Sequence, residues 1–141
     1  MTGEPFVHEI LIIDDDAVDR RKIVRLLAPV PNIKITEAHS GEHAMQVLET
    51  LEPSLAITDI FMPNVDGLEF LTQLATLRWN FPVIAITGQN DSQHIDFLKV
   101  AQSFGAVHSL EKRELDRELA GVVRRILLDS EGRGRETQPY C

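Results

Sequence analysis

Cysteine is almost absent from these 141 residues: the single one, Cys141, is the last in the chain. That excludes a disulfide framework and a Cys-based zinc centre, and it predicts a reducing compartment, with the cytoplasm as the expected location. Long apolar runs are also missing. Nothing approaches the roughly 20 residues needed to cross a bilayer, and "MTGEPFVHEI" has neither the basic start nor the apolar centre of a signal peptide. Positive charge is in deficit, 14 basic against 22 acidic residues for a net charge of −8. Such a balance disfavours neutralising nucleic-acid phosphates, so neither direct nucleic-acid binding nor a membrane partner is expected. Arg113, Arg117, Arg124, Arg125, Arg133 and Arg135 do gather near the C-terminus, but Glu111, Glu114, Asp116, Glu118 and Glu131 interleave with them. The pattern reads as a solvated helix face followed by a polar tail. Neither G-x-G-x-x-G nor G-x-x-x-x-G-K-[ST] occurs, so no nucleotide site is suggested.

What is present is an alternation. At 43% hydrophobic content the chain is long enough for one core and too short for two comfortable ones. "EILII" (9–13) is a continuous apolar run, and Asp15 or Asp16 can cap a following helix with Ile23, Val24 and Leu27 on its apolar face. "IKITEA" precedes a second helical pattern from Gly41 through Ala44, Val47, Leu48 and Leu51. "LAIT" is a third strand; Asp66 with Glu69 starts a helix carrying Leu68, Leu71 and Leu74. "PVIAIT" (82–87) is a fourth strand, followed from Asp91 or Ser92 by Ile95, Leu98 and Ala101. "AVHSL" (106–110) is a weaker fifth, before the stripe Leu115, Leu119, Val122 and Ile126. Five apolar strands alternating with five helices predict an α/β fold, a doubly wound five-stranded parallel sheet covered on both faces. The expected organisation is a lead over 1–8, one domain over 9–128, and a polar, disordered tail over 129–141.

In an open parallel sheet, ligands bind beyond the C-terminal ends of the strands. The polar residues there are Asp14-Asp15-Asp16, Asp59, Thr87 and Lys112. Each alone has an ordinary explanation as a helix cap, a surfacing residue, a turn or a solvated cation. Together they bring carboxylates, a hydroxyl and an ammonium to one sheet edge. Clustered carboxylates repel unless a cation intervenes, and Mg²⁺ suits an oxygen-lined, partly hydrated site of this kind. A metal, a lysine and a hydroxyl around a nucleophilic carboxylate form a phosphoryl-transfer arrangement.

The stretches "ILIIDDDAVDR", "AITDIFMPNVDG", "PVIAITG" and "GAVHSLEK", in this order and spacing, resemble the successive signatures of the receiver domain of bacterial two-component response regulators. The resemblance covers about 9–128. It implies a flavodoxin-like (βα)5 fold with strand order 2-1-3-4-5 and a signalling switch, expected as a stand-alone receiver that docks to a partner or else as a piece of a longer regulator. It further implies that Asp59 accepts a phosphoryl group from a phosphohistidine on a sensor histidine kinase or histidine phosphotransfer protein, and that a downstream protein reads the change. By the same resemblance Asp14, Asp15, Asp59 and the backbone carbonyl of Phe61 hold Mg²⁺. Lys112 pairs with the carboxylate and then with the phosphoryl oxygens, and Thr87 moves toward the phosphoryl group. Pro63 and Gly67 shape the loop that presents Asp59. Such a domain is a phosphoacceptor that assists its own chemistry, not an enzyme acting on a separate substrate.

Two positions depart from the family pattern. A proline usually follows the lysine and commonly permits a cis peptide; here the residue is Arg113. Ser109 stands where many receivers carry an aromatic ring, so output is expected to depend on backbone shifts around 87–89. Phe61 and Gln89 flank the path of a hydrolytic water in related domains. One competing class is a haloacid dehalogenase-type phosphatase, since Asp14 to Val18 also fits D-x-D-x-V, with Asp14 as nucleophile and Asp16 as acid/base. Another is a receiver-like binding module that no longer takes phosphate.

Overall fold

The computed structural model describes residues 7–60, 81–88 and 106–133, the residues 131–133 by backbone alone. Five strands, β1 (His8–Ile13), β2 (Ile33–Ala38), β3 (Leu55–Asp59), β4 (Val83–Thr87) and β5 (His108–Glu111), form one all-parallel sheet in the order β2-β1-β3-β4-β5. That is the fold class and strand order expected. Helices α1 (Ala17–Leu26), α2 (Gly41–Val47) and α3 (Leu115–Arg133) are described. The other two expected helices, those starting at Asp66 and at Asp91 or Ser92, lie outside the described residues. No described helix is long and apolar enough to cross a membrane.

The central strands β1, β3 and β4 are mostly apolar because both faces are covered, whereas the edge strands β2 and β5 carry polar residues; the two-residue period decides which side chain faces which helix. Ile10 and Ile12 of β1, Leu55 and Ile57 of β3, and Ile84 and Ile86 of β4 point to one face. There they pack with Ile23 and Leu27 around α1 and with Leu115, Leu119, Val122, Val123 and Leu127 of α3. The intervening Leu11, Ile13, Ala56, Val83 and Ala85 point to the other face and pack with Ala38, Ala44, Ile60 and Ala106. The apolar stripe of α3 is the one its sequence spacing predicts, and Arg117, Glu118, Arg124 and Arg125 lie on its exposed side. The helix continues to Arg133, into the stretch expected to be tail; 134–141 lie outside the described residues.

One boundary differs from the periodicity. Helix α2 closes at Val47 rather than reaching Leu51, and the amides of Thr50 and Leu51 both turn back to the Val47 carbonyl. Of the two expected caps of α1, Asp16 is the one used: its carboxylate accepts from the amides of Val18 at 2.8 Å and Asp19 at 3.4 Å. This satisfies donors that the first helical turn leaves open. Asp16→Ala is expected to cost about 1 kcal/mol, read as a lower midpoint in urea denaturation; an unchanged midpoint would mean that the cap contributes nothing.

Candidate functional site

The strand order brings the C-terminal ends of β1, β3 and β4 side by side, with a polar residue at or just past each end. Asp14 follows the last residue of β1, Asp59 ends β3 opposite Ile86, and Thr87 ends β4 opposite Glu111 of β5. Asp14, Asp59 and Thr87 are 1%, 4% and 0% exposed, whereas Asp15 is open to solvent. One carboxylate oxygen from each of Asp14, Asp15 and Asp59 lies within 4.8 Å of the other two. Lys112, one residue past β5, brings its Nζ to 3.4 Å from Asp59 Oδ2. The structure thus brings Asp14, Asp15, Asp59 and Lys112 together and sets Thr87 on the same sheet edge. Phe61, Pro63, Gly67 and Gln89 lie outside the described residues.

The loop after β1 is held by backbone contacts. The Asp14 amide donates to the Ala38 carbonyl at 3.1 Å, and Asp14 Oδ1 accepts from the Asp16 amide at 2.9 Å. Arg20 Nη1 donates to the Asp14 carbonyl at 2.6 Å, while its Nε donates to Glu37 on β2 at 3.0 Å. Capping occupies the Asp16 carboxylate, which leaves the Asp14 and Asp15 carboxylates to the cluster. An acid/base role for Asp16 toward Asp14, as the phosphatase reading needs, has no support in this arrangement.

Burial pushes the Asp14 carboxyl up to about 7; the Asp16 amide opposes the shift, the Asp59 charge adds to it, Lys112 opposes it and Asp19 adds to it. For Lys112, burial alone would lower the ammonium's value. The bond from Asp19 and the charges of Asp59, Asp19 and Asp14 outweigh it, and the value rises above the ordinary lysine range. Two buried carboxylates beside an exposed third one, one of them driven toward its neutral form, constitute a donor set short of positive charge. Its chemistry fits a hard divalent cation, which oxygen ligands alone can hold.

The Arg113 departure has a definite outcome. No peptide bond among the described residues is cis. Lys112 instead opens a 3-10 turn (Lys112–Glu114) with Glu111 at its N-cap, where the Glu111 amide donates to the Glu114 carboxylate at 2.8 Å. The exposed Arg113 side chain folds back onto Glu111 at 2.6 Å. Lys112 reaches the cluster from this trans turn. Ser109 sits half-buried on β5 opposite Ala85.

Three residues near the site escape a reading of the sequence. Asp19 accepts from Lys112 Nζ at 2.6 Å, Arg20 clamps the Asp14 carbonyl, and Gly88 leaves room for the lysine stem, since a Cβ there would lie 3.3 Å from Lys112 Cδ. Asp19 looks like an ordinary acidic residue of a first helical turn.

The family model "Response regulator receiver domain" matches residues 10–124. The chain belongs to the response regulator receiver domain family. The receiver domain is 36% identical over 122 residues to a Pseudomonas aeruginosa protein named as a transcriptional regulator, covering 86% of this chain and 57% of that protein. It is 29% identical over 118 residues to the positive alginate biosynthesis regulatory protein of the same species, covering 82% of this chain and 46% of the relative. This receiver domain therefore spans about half the length of those two relatives. Its fold matches the crystal structure of a CheY-like receiver domain protein from Methanospirillum hungatei, with TM-score 0.77 at 23% identity, over 91% of this chain and 99% of that one.

Proposed function

We propose that the receiver domain works as a phosphorylation-controlled switch in which Asp59 takes a phosphoryl group from a phosphohistidine of a sensor histidine kinase or histidine phosphotransfer protein. The observation that carries this reading is the placement of the buried Asp59 carboxylate, within 4.8 Å of two further carboxylates and 3.4 Å from an ammonium. An Asp59 oxygen attacks phosphorus in line. A P–O bond forms, the P–N bond to the donor imidazole breaks, and its electron pair remains on the imidazole nitrogen, leaving an acyl phosphate on this chain. Asp14, Asp15 and Asp59, with the Phe61 carbonyl, would hold Mg²⁺, which when bound neutralises charge on the transferring oxygens. Lys112 supplies a second positive charge. Thr87, buried at the end of β4, engages the phosphoryl group and carries the change outward through the backbone around 87–89, because Ser109 has no ring to swing.

On this reading the chain is a phosphoacceptor with a downstream protein target rather than an enzyme turning over a separate substrate. A net charge of −8 does not suit contact with DNA phosphates, so any transcriptional output is placed in other residues or in the target.

The test is intact mass after incubation with acetyl phosphate, with and without Mg²⁺. One phosphoryl adduct that needs Mg²⁺ and is removed by hydroxylamine, as an acyl phosphate should be, is the expected result. Absence of the adduct together with no binding of beryllofluoride would overturn the reading.

The Asp14 carboxyl also sets a pH dependence. A cation entering the cluster displaces the proton that Asp14 holds below about 7. Mg²⁺ affinity measured by calorimetry should therefore rise about tenfold from pH 6 to pH 8, and an affinity independent of pH in that window would contradict the assignment of Asp14 as a ligand.

A further inference from the structure

We propose that Asp19 is a positioning residue for Lys112, holding the ammonium beside Asp59 without letting it close onto the nucleophile. The inference rests on the reading of Asp59 as phosphoacceptor. Lys112 Nζ is 2.6 Å from Asp19 Oδ2 but 3.4 Å from Asp59 Oδ2. The first is a short charge-assisted hydrogen bond; the second is an ion pair beyond ordinary N–H···O length. An ammonium has three donors, so anchoring one on Asp19 leaves two for the oxygens of an incoming phosphoryl group.

The anchor itself is well fixed. Asp19 sits in the first turn of α1, its amide 3.4 Å from the capping Asp16 carboxylate. The rival cation on the same helix, Lys22, is paired elsewhere, at 3.4 Å from Asp116. Asp19 stands outside the trio of Asp14, Asp15 and Asp59, so a cation held by those three leaves its charge free for the lysine. The lysine stem meanwhile passes close over Gly88, where even a Cβ would crowd it at 3.3 Å. Asp19 and Lys112 both line a cavity of about 30 Å³ shared with Asp14, Lys22 and Ile86. Lys112 reaches this place on a flexible four-carbon stem, from a trans turn in which Arg113 follows it. Released from Asp19, the flexible stem would let the ammonium close on Asp59 and tie up the lone pair that must attack.

A double-mutant cycle tests this with Asp19→Asn, Lys112→Met and the double variant, each first shown to melt cooperatively. The readouts are the rate of acyl phosphate formation from acetyl phosphate and the NMR signal of the Lys112 ammonium in metal-free protein. Asp19→Asn should slow phosphorylation about tenfold when Lys112 is present and add nothing in the Lys112→Met background. Asp19→Glu should recover part of the rate. The slowly exchanging Lys112 ammonium signal should be present in the wild type and move to a different chemical shift in Asp19→Asn, where the ammonium passes from Asp19 to Asp59. Equal slowing in both backgrounds, or an unchanged rate, overturns the inference. If the wild type takes no phosphoryl group, the functional reading fails. The ammonium signal then decides the inference by itself: a displaced signal on Asp19→Asn upholds the anchor, and an unchanged one overturns it.

Discussion

Asp59→Asn will take no phosphoryl group from acetyl phosphate in Mg²⁺, and intact mass will show one unmodified species where the wild type shows an adduct. The amide nitrogen is not a nucleophile, and the amide oxygen lacks the charge that makes a carboxylate attack phosphorus. The loss is expected to be complete rather than partial because no other described carboxylate shares Asp59's environment. Asp14 is buried but driven toward its neutral form. Asp15 is exposed, and Asp16 is spent on the helix cap. An adduct that persisted in Asp59→Asn would move the acceptor to another residue and sink the mechanism above. The fold should tolerate the change, since an amide of the same shape relieves charge repulsion inside the cluster.

The second large effect concerns stability. Asp14 is 1% exposed, and its carboxyl rises from the ordinary 3.8 to about 7. The folded state therefore favours the protonated form. Its contribution to stability is fully present below pH 3.8 and is lost as pH rises through 7. Roughly three pKa units at 1.36 kcal/mol each amount to about 4 kcal/mol at pH 8. Asp14→Asn keeps an oxygen for the Asp16 amide and removes the charge. In EDTA at pH 8 it should melt well above the wild type, with the advantage shrinking toward pH 4.5. Added Mg²⁺ should stabilise the wild type by mass action and the variant little, so the gap narrows. Equal melting temperatures in EDTA at pH 8 would show that Asp14 does not carry the strain assigned to it.

Much of this was legible in the residues. Runs such as "EILII" and "PVIAIT" mark buried strands because a doubly covered strand has no polar face, and the polar residue closing each run marks the sheet edge where ligands bind. The order of the strands was not legible from pattern alone, since many arrangements satisfy right-handed crossovers; it came with the resemblance. A boundary suffered where local bonding outweighed periodicity, at α2, whose spacing continues through Leu51 although the amides of Thr50 and Leu51 both bond the Val47 carbonyl. The Asp19–Lys112 pair was invisible for another reason. Its partners are 93 positions apart and meet only because α1 and the turn after β5 share a face of the folded sheet. The trans turn at Lys112 was equally hidden, being set by the capping exchange between Glu111 and Glu114.

The clamp that Arg20 places on the Asp14 carbonyl bears on how fast the site can fill. Because the loop carrying Asp14 and Asp15 is tied through its backbone to β2, its shape does not wait on the charge of its carboxylates. Loading and unloading the proposed cation would then need no refolding of that loop. The kinetic barrier would be left to the ion's own reluctance to shed water, and occupancy would follow the surrounding Mg²⁺ concentration without hysteresis.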